Sequence, residues 1–146
     1  MSSKLFGKWK LSKNHNFDEY MKKVGVDAAT RKIASVISST TKILDEGNNQ
    51  VRIKTKSTFK SANVVFPIGE EIDEHTMDDR DCKTVVTWDG ESKLIEIQKW
   101  KDQTGDRQLK MEWAYEDEKM ILRMECDGIK AERHHTRTKS KKDKIN

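Results

Sequence analysis

Two periods of apolar and polar residues run along this chain, and the change from one to the other divides it. At the start Leu5, Gly7, Trp9 and Leu11 alternate with Phe6, Lys8 and Lys10, the period-two pattern of a strand. Phe17, Tyr20, Met21 and Val24 then fall at i, i+3, i+4 and i+7, which is one apolar stripe of a helix. Asn16 stands where an N-cap belongs, Glu19 where it could close a capping box, and Gly25 where a helix C-cap belongs. Asp27 is placed to cap a second short helix running to Ser35. Two short helices side by side in sequence suggest a hairpin lid.

From residue 36 onward the period is two. Alternating runs cover residues 36–44, 51–56, 59–66, 82–88, 94–100, 107–115, 120–126 and 129–137, with a weaker one at 68–75. Turn residues close them, among them Gly47, Gly90 and Gly128. Pro67 sits between runs, where it removes no ladder donor. With the first strand this makes ten, evenly spaced, as in an up-and-down antiparallel meander. A sheet of that length curls or closes into a barrel, and such a barrel has room for a ligand.

Composition supports a hollow interior. Of 146 residues 37% are charged and only 34% apolar, with a mean hydropathy of −0.92, too little apolar mass for a large dry core. No apolar run is long enough to span a membrane, and the N-terminus lacks the apolar stretch of a secretory signal, so a cytoplasmic protein is expected, with nuclear entry left open. The net charge of +4 belongs to the C-terminus: taking the five basic residues and one acid from Thr136 onward out of 29 and 25 leaves 24 of each sign. A neutral body argues against a basic nucleic-acid-binding domain. Residues 138–146 read as a basic, disordered tail after a single domain over 1–137. Cys82 and Cys126 read as free thiols, and the adjacent His134 and His135 point to opposite strand faces, so no metal or cofactor site is expected.

Several motifs, in order and in register, resemble the intracellular lipid-binding proteins, the fatty-acid-binding protein family. They are Gly7, Trp9 and Leu11; Asn16, Phe17, Asp18, Tyr20, Met21 and Val24; Gly25 through Thr30, Arg31, Ile33 and Ala34; Ser57, Phe59 and Lys60; Gly69, Asp73 and Glu74; Asp78, Asp79 and Arg80; and Gln98, Lys99 and Trp100. The likeness extends from Leu5 to about Arg137 and is nearest to the heart, muscle and brain-type branch. It implies an all-β, ten-stranded β-clam with a helix-turn-helix over its open end and one long-chain fatty acid inside. The ligand would enter beside the second helix, with Arg31, Asp78 and Arg80 at the portal and Phe17 and Phe59 against the lipid. In that branch an Arg-x-Tyr pair on the last strand and a second Arg two strands earlier hold the carboxylate. Here Arg133 matches the first Arg, His135 stands at the Tyr, and Trp113 (or Glu112, with a turn one residue different) takes the place of the second Arg.

Parity supports Arg133 as an inward anchor. Ala131, Arg133 and His135 share one face, and the fully polar Lys130, Glu132 and His134 share the other. A guanidinium suits the role because its planar fork donates two hydrogen bonds to a carboxylate. His135 is the candidate second donor, titrating between about pH 5 and 8 if its imidazole is ordinary. Leu94, Glu96, Gln98 and Trp100 share a face that should point inward, which puts a carboxylate inside the cavity. Trp9 reads as core, and Tyr20 and Met21 as helix-to-barrel packing. Cys126 reads as a packing residue without a cationic partner.

The functional expectation is a monomeric, non-catalytic carrier of a long-chain fatty acid, reaching anionic membranes transiently through its tail or lid. A carrier of retinoid or another hydrophobic ligand is the alternative. A Cys126–His135–Glu96 hydrolase lacks an oxyanion hole, and a nucleic-acid binder would have to work through the tail alone.

Overall fold

The computed structural model describes residues 3–138, so all of the basic tail beyond Thr138 lies outside the described residues. Ten strands and two helices follow in the order β1 Gly7–His15, α1 Phe17–Val24, α2 Ala28–Ala34, β2 Ser39–Gly47, β3 Gln50–Ser57, β4 Ala62–Pro67, β5 Ile72–His75, β6 Asp81–Trp88, β7 Lys93–Asp102, β8 Gly105–Glu116, β9 Lys119–Cys126 and β10 Ile129–Thr138. They form one antiparallel sheet, β4-β3-β2-β1-β10-β9-β8-β7-β6-β5. Each strand pairs with its neighbour in sequence, except that β1 also meets β10 and that β4 and β5 stand at opposite ends of the order. The sheet has therefore curled round without closing its ladder. Pro67 is the last residue of β4, opposite Gln50, and not between strands as its sequence position suggested. It is tolerated because β4 is an edge.

The chain departs from its expected helix start. Asn16 makes no capping bond. It adopts a left-handed backbone (φ 57°), and its side-chain amide donates to the Lys130 carbonyl at 2.8 Å, tying the entrance of α1 to β10. Asp27 does cap α2, accepting from the Thr30 amide at 2.7 Å. Gly25 ends α1 with φ 111°, a conformation suited to glycine. Tyr20, Met21 and Val24 are buried, so α1 lies with its stripe on the barrel. Arg107 pins the end of the helix, donating to the Lys23 carbonyl at 2.6 Å while pairing with Asp102 at 2.7 Å and Asp127 at 3.1 Å.

The opposite end of the barrel is plugged. Trp9 is fully buried and its indole N–H donates to the Leu5 carbonyl at 2.8 Å. The Arg137 guanidinium lies 4.1 Å above the Trp9 ring and donates to the carbonyls of Phe6 at 2.9 Å and Lys4 at 2.5 Å. Gly7 makes room for it, since a Cβ there would run into Arg137 Nη1. With both ends covered, side chains on the inward faces of the strands line a hollow rather than fill it.

Candidate functional site

An internal cavity of about 230 Å³ lies between the helical lid and the strands. Register fixes its far wall. Trp113 pairs with Leu122 across β8 and β9, and Leu122 with Arg133 across β9 and β10, so the three share one inward row. Glu112 falls on the other face, within 4 Å of Lys93 and Lys110, which settles that Trp113 takes the inward position.

Arg133 and His135 both line the cavity. The Arg133 guanidinium sits 4.2 Å over the Phe17 ring, and its Nε donates to Asn14 Oδ1 at 2.9 Å. Among the described residues it has no ion-pair partner, and burial draws its pKa down to about 10. His135 is only 2% exposed, with Nδ1 3.3 Å from the Met120 carbonyl oxygen. Burial, helped by the positive charge of Arg133, lowers its pKa to about 4. The expected titration between pH 5 and 8 is thus corrected: the imidazole is neutral there. With Nδ1–H donating to Met120, Nε2 carries a lone pair and is an acceptor, not the second donor that was expected.

Glu96 and Gln98, on β7, also line the cavity, each 3% exposed. Glu96 Oε1 accepts from the Trp113 indole N–H at 3.0 Å, and Oε2 from Gln98 Nε2 at 2.9 Å. Burial and the charge of nearby Glu74 push Glu96 up to about 7, against the pull of these donors and of Arg80. Arg80 was expected at the portal, yet its Nη2 reaches inward to donate to Gln98 Oε1 at 3.0 Å. Asp78 holds it through Nε at 2.6 Å and Nη2 at 2.9 Å, and the guanidinium covers the Trp100 ring at 4.4 Å. Burial opposes both charges of this pair, but the mutual hydrogen bonds and attraction prevail, lowering Asp78 and raising Arg80.

Phe17 and Phe59 also face the cavity, Phe59 being 40% exposed at the mouth. Arg31, expected at the portal, does not line it. Its Nε pairs with Asp18 at 3.0 Å and its Nη1 donates to the Val26 carbonyl at 2.8 Å, so it binds the two helices together instead of facing out. Tyr20 and Met21, for which packing was favoured over a place at the cavity mouth, are buried and also line the cavity. Sequence reasoning missed Glu74 and Ser39 on the wall; Glu74 lay in the weakest strand and Ser39 at the first residue of one. Cys126 does have a cationic neighbour, Arg107 Nη2 at 3.6 Å, contrary to expectation, but burial still raises its thiol pKa and it does not line the cavity. Both cysteines are free and buried. No group of three or more metal-ligating side chains occurs among the described residues, and none of their helices is long and apolar enough to cross a membrane.

A ten-stranded clam, a two-helix lid and an amphipathic hollow holding an arginine define a lipid-carrier class of protein. The chain belongs to the lipocalin / cytosolic fatty-acid binding protein family, whose model matches residues 6–140. Among solved structures it is similar to a Schistosoma mansoni fatty acid binding protein in complex with arachidonic acid, at 35% identity and a TM-score of 0.86 over 94% of this chain and 98% of that one. A fatty-acid-binding protein from Drosophila melanogaster brain tissue is 36% identical, with a TM-score of 0.78 over 88% and 95%. Apo lipid binding protein 8 of Caenorhabditis elegans is 28% identical, with a TM-score of 0.85 over 92% and 96%.

Proposed function

We propose that this protein binds one long-chain fatty acid non-covalently, with the carboxylate on Arg133, and carries it through the cytoplasm without a catalytic step. The observation that carries this reading is Arg133 itself: a largely desolvated guanidinium that lines an amphipathic cavity and has no carboxylate partner among the described residues. An anionic head group is what such a cation lacks, and Phe17 covers the other side of the fork. The arachidonic acid in the Schistosoma relative supports the ligand class.

The acyl chain supplies most of the affinity. Burying about 15 methylenes at roughly 0.8 kcal/mol each gives about 12 kcal/mol before ordering costs, enough for micromolar binding or better with one anchor. The absence of catalysis is supported by thiols whose pKa burial raises, Cys82 to about 11, which leaves them poor nucleophiles at neutral pH.

Displacement of a fluorescent fatty-acid probe by long-chain fatty acids tests the ligand, and extraction of the purified protein under denaturing conditions with mass spectrometry identifies what it carries. Displacement in the micromolar range or below is expected. Failure of every long-chain acid to compete, or recovery of a retinoid instead, overturns the reading.

A further inference from the structure

The cavity wall away from Arg133 carries more polar chemistry than a plain acyl chain can use. Glu96, Gln98 and Glu74 all face the hollow. Each Glu96 oxygen accepts one hydrogen bond from the protein, at 3.0 Å and 2.9 Å, and has a lone pair left over. Glu74 accepts from the Thr84 hydroxyl at 2.8 Å through Oε1. Methylenes laid against these groups would desolvate them and return nothing.

This polar wall is separate from the Arg133 end. The leading charge effects on Glu96 come from Glu74 and Arg80, while burial is what shifts Arg133. The indole that holds Glu96 belongs to Trp113, two strands from Arg133 in a direct cross-strand row, which is a backbone separation of about 10 Å. An extended ligand anchored at Arg133 therefore brings the middle of its chain, not its head, to Glu96.

We propose that Glu96, Gln98 and Glu74 form a second polar subsite, and that the preferred ligand is a long-chain acid bearing a hydroxyl group near mid-chain, its carboxylate on Arg133 and its hydroxyl on Glu96. The proposal rests on the fatty-acid reading of the cavity. A hydroxyl is the fitting group because it both donates and accepts. It donates to Glu96 when the carboxyl is ionised and accepts from it when protonated, and a group pushed up to about 7 populates both forms at neutral pH. A second carboxylate on the ligand would be repelled by Glu74 and Glu96, and an ammonium would be matched only by the ionised form.

The test is competition against a fluorescent fatty-acid probe with stearate, 2-hydroxystearate, 10-hydroxystearate and 12-hydroxystearate, on the wild type, Glu96→Leu and Glu96→Gln. One net hydrogen bond predicts that a mid-chain isomer binds the wild type about fivefold or more tightly than stearate, with no such gain for 2-hydroxystearate. Glu96→Leu should invert the order, weakening the hydroxylated acid and tightening stearate; Glu96→Gln, which keeps the shape and one acceptor, should reduce the gain without inverting it. Equal affinities across the series in the wild type, or a gain that survives Glu96→Leu, overturns the subsite while leaving the carrier reading intact. Failure of stearate and all its isomers to displace the probe overturns both.

Discussion

Arg133 and Arg80 are the same side chain facing the same cavity, and the protein treats them in opposite ways. Arg80 is given a carboxylate at 2.6 Å, an amide oxygen at 3.0 Å and an indole face, and its pKa rises. Arg133 is given one amide oxygen and a phenyl ring, and its pKa falls to about 10. A satisfied cation holds a wall together. An unsatisfied one stores a cost that an anionic ligand relieves, so its contribution appears on binding and not on folding.

Stability is where that contrast should be broken most severely. Asp78→Asn strips Arg80 of its counter-charge in a place where the two side chains are only 23% and 15% exposed. We expect a loss of about 2–3 kcal/mol in urea unfolding, somewhat below the cost of breaking a fully buried pair. Arg133→Gln should leave unfolding unchanged or slightly improve it; a comparable loss would show that Arg133 is structural after all. The same Arg133→Gln protein sharpens the contrast in binding, where it should weaken a long-chain fatty acid by about 1–3 kcal/mol yet spare the corresponding alcohol, as measured by calorimetry.

Acidity provides a smaller effect at the Glu96 pole. Its folded pKa of about 7 lies above the ordinary carboxyl value, so the folded state holds this proton more tightly than the unfolded chain does. The stabilisation is complete below the unfolded pKa and is lost as pH rises through 7. The groups that act on it are Glu74, Gln98, Trp113 and Arg80. Between pH 5 and pH 8 the wild type should therefore lose about 2–2.5 kcal/mol relative to Glu96→Gln. Parallel pH curves for the two proteins would place Glu96 in water. The smallest effect belongs to His135. With a folded pKa near 4 it stays neutral from pH 5 to 8, so His135→Phe should alter affinity by less than about 1 kcal/mol and leave the pH profile of binding over that range unchanged.

Parity made much of this legible in the sequence. Alternation on β7 and β10 is enough to turn Glu96, Gln98, Arg133 and His135 toward the cavity, because a strand's register leaves no other choice. Asp27 could be read as a cap because its partner is three residues away. What stayed hidden depends on contacts between segments far apart in sequence. Asn16 abandons its local capping bond for a carbonyl on β10, 114 residues away. Arg31 turns to Asp18 rather than to solvent, and Arg107 reaches Cys126 across the sheet. Arg80 shows a different blindness: the pattern says on which face a long side chain starts, not how far inward it leans. His135 looked titratable at neutral pH because sequence carries its ordinary acidity but not its burial.

The plug at the far end of the barrel has a consequence for inherited or engineered variation. Gly7 leaves the space that the Arg137 guanidinium occupies over Trp9, with a backbone φ of 141° that other residues rarely adopt. Adding a single methyl group there would displace the clasp joining the first strand to the last, without altering any atom that faces the lipid. Such a lesion would show itself in a cell as scarcity: the molecules that remained would bind normally, while faster opening and proteolysis lowered their number.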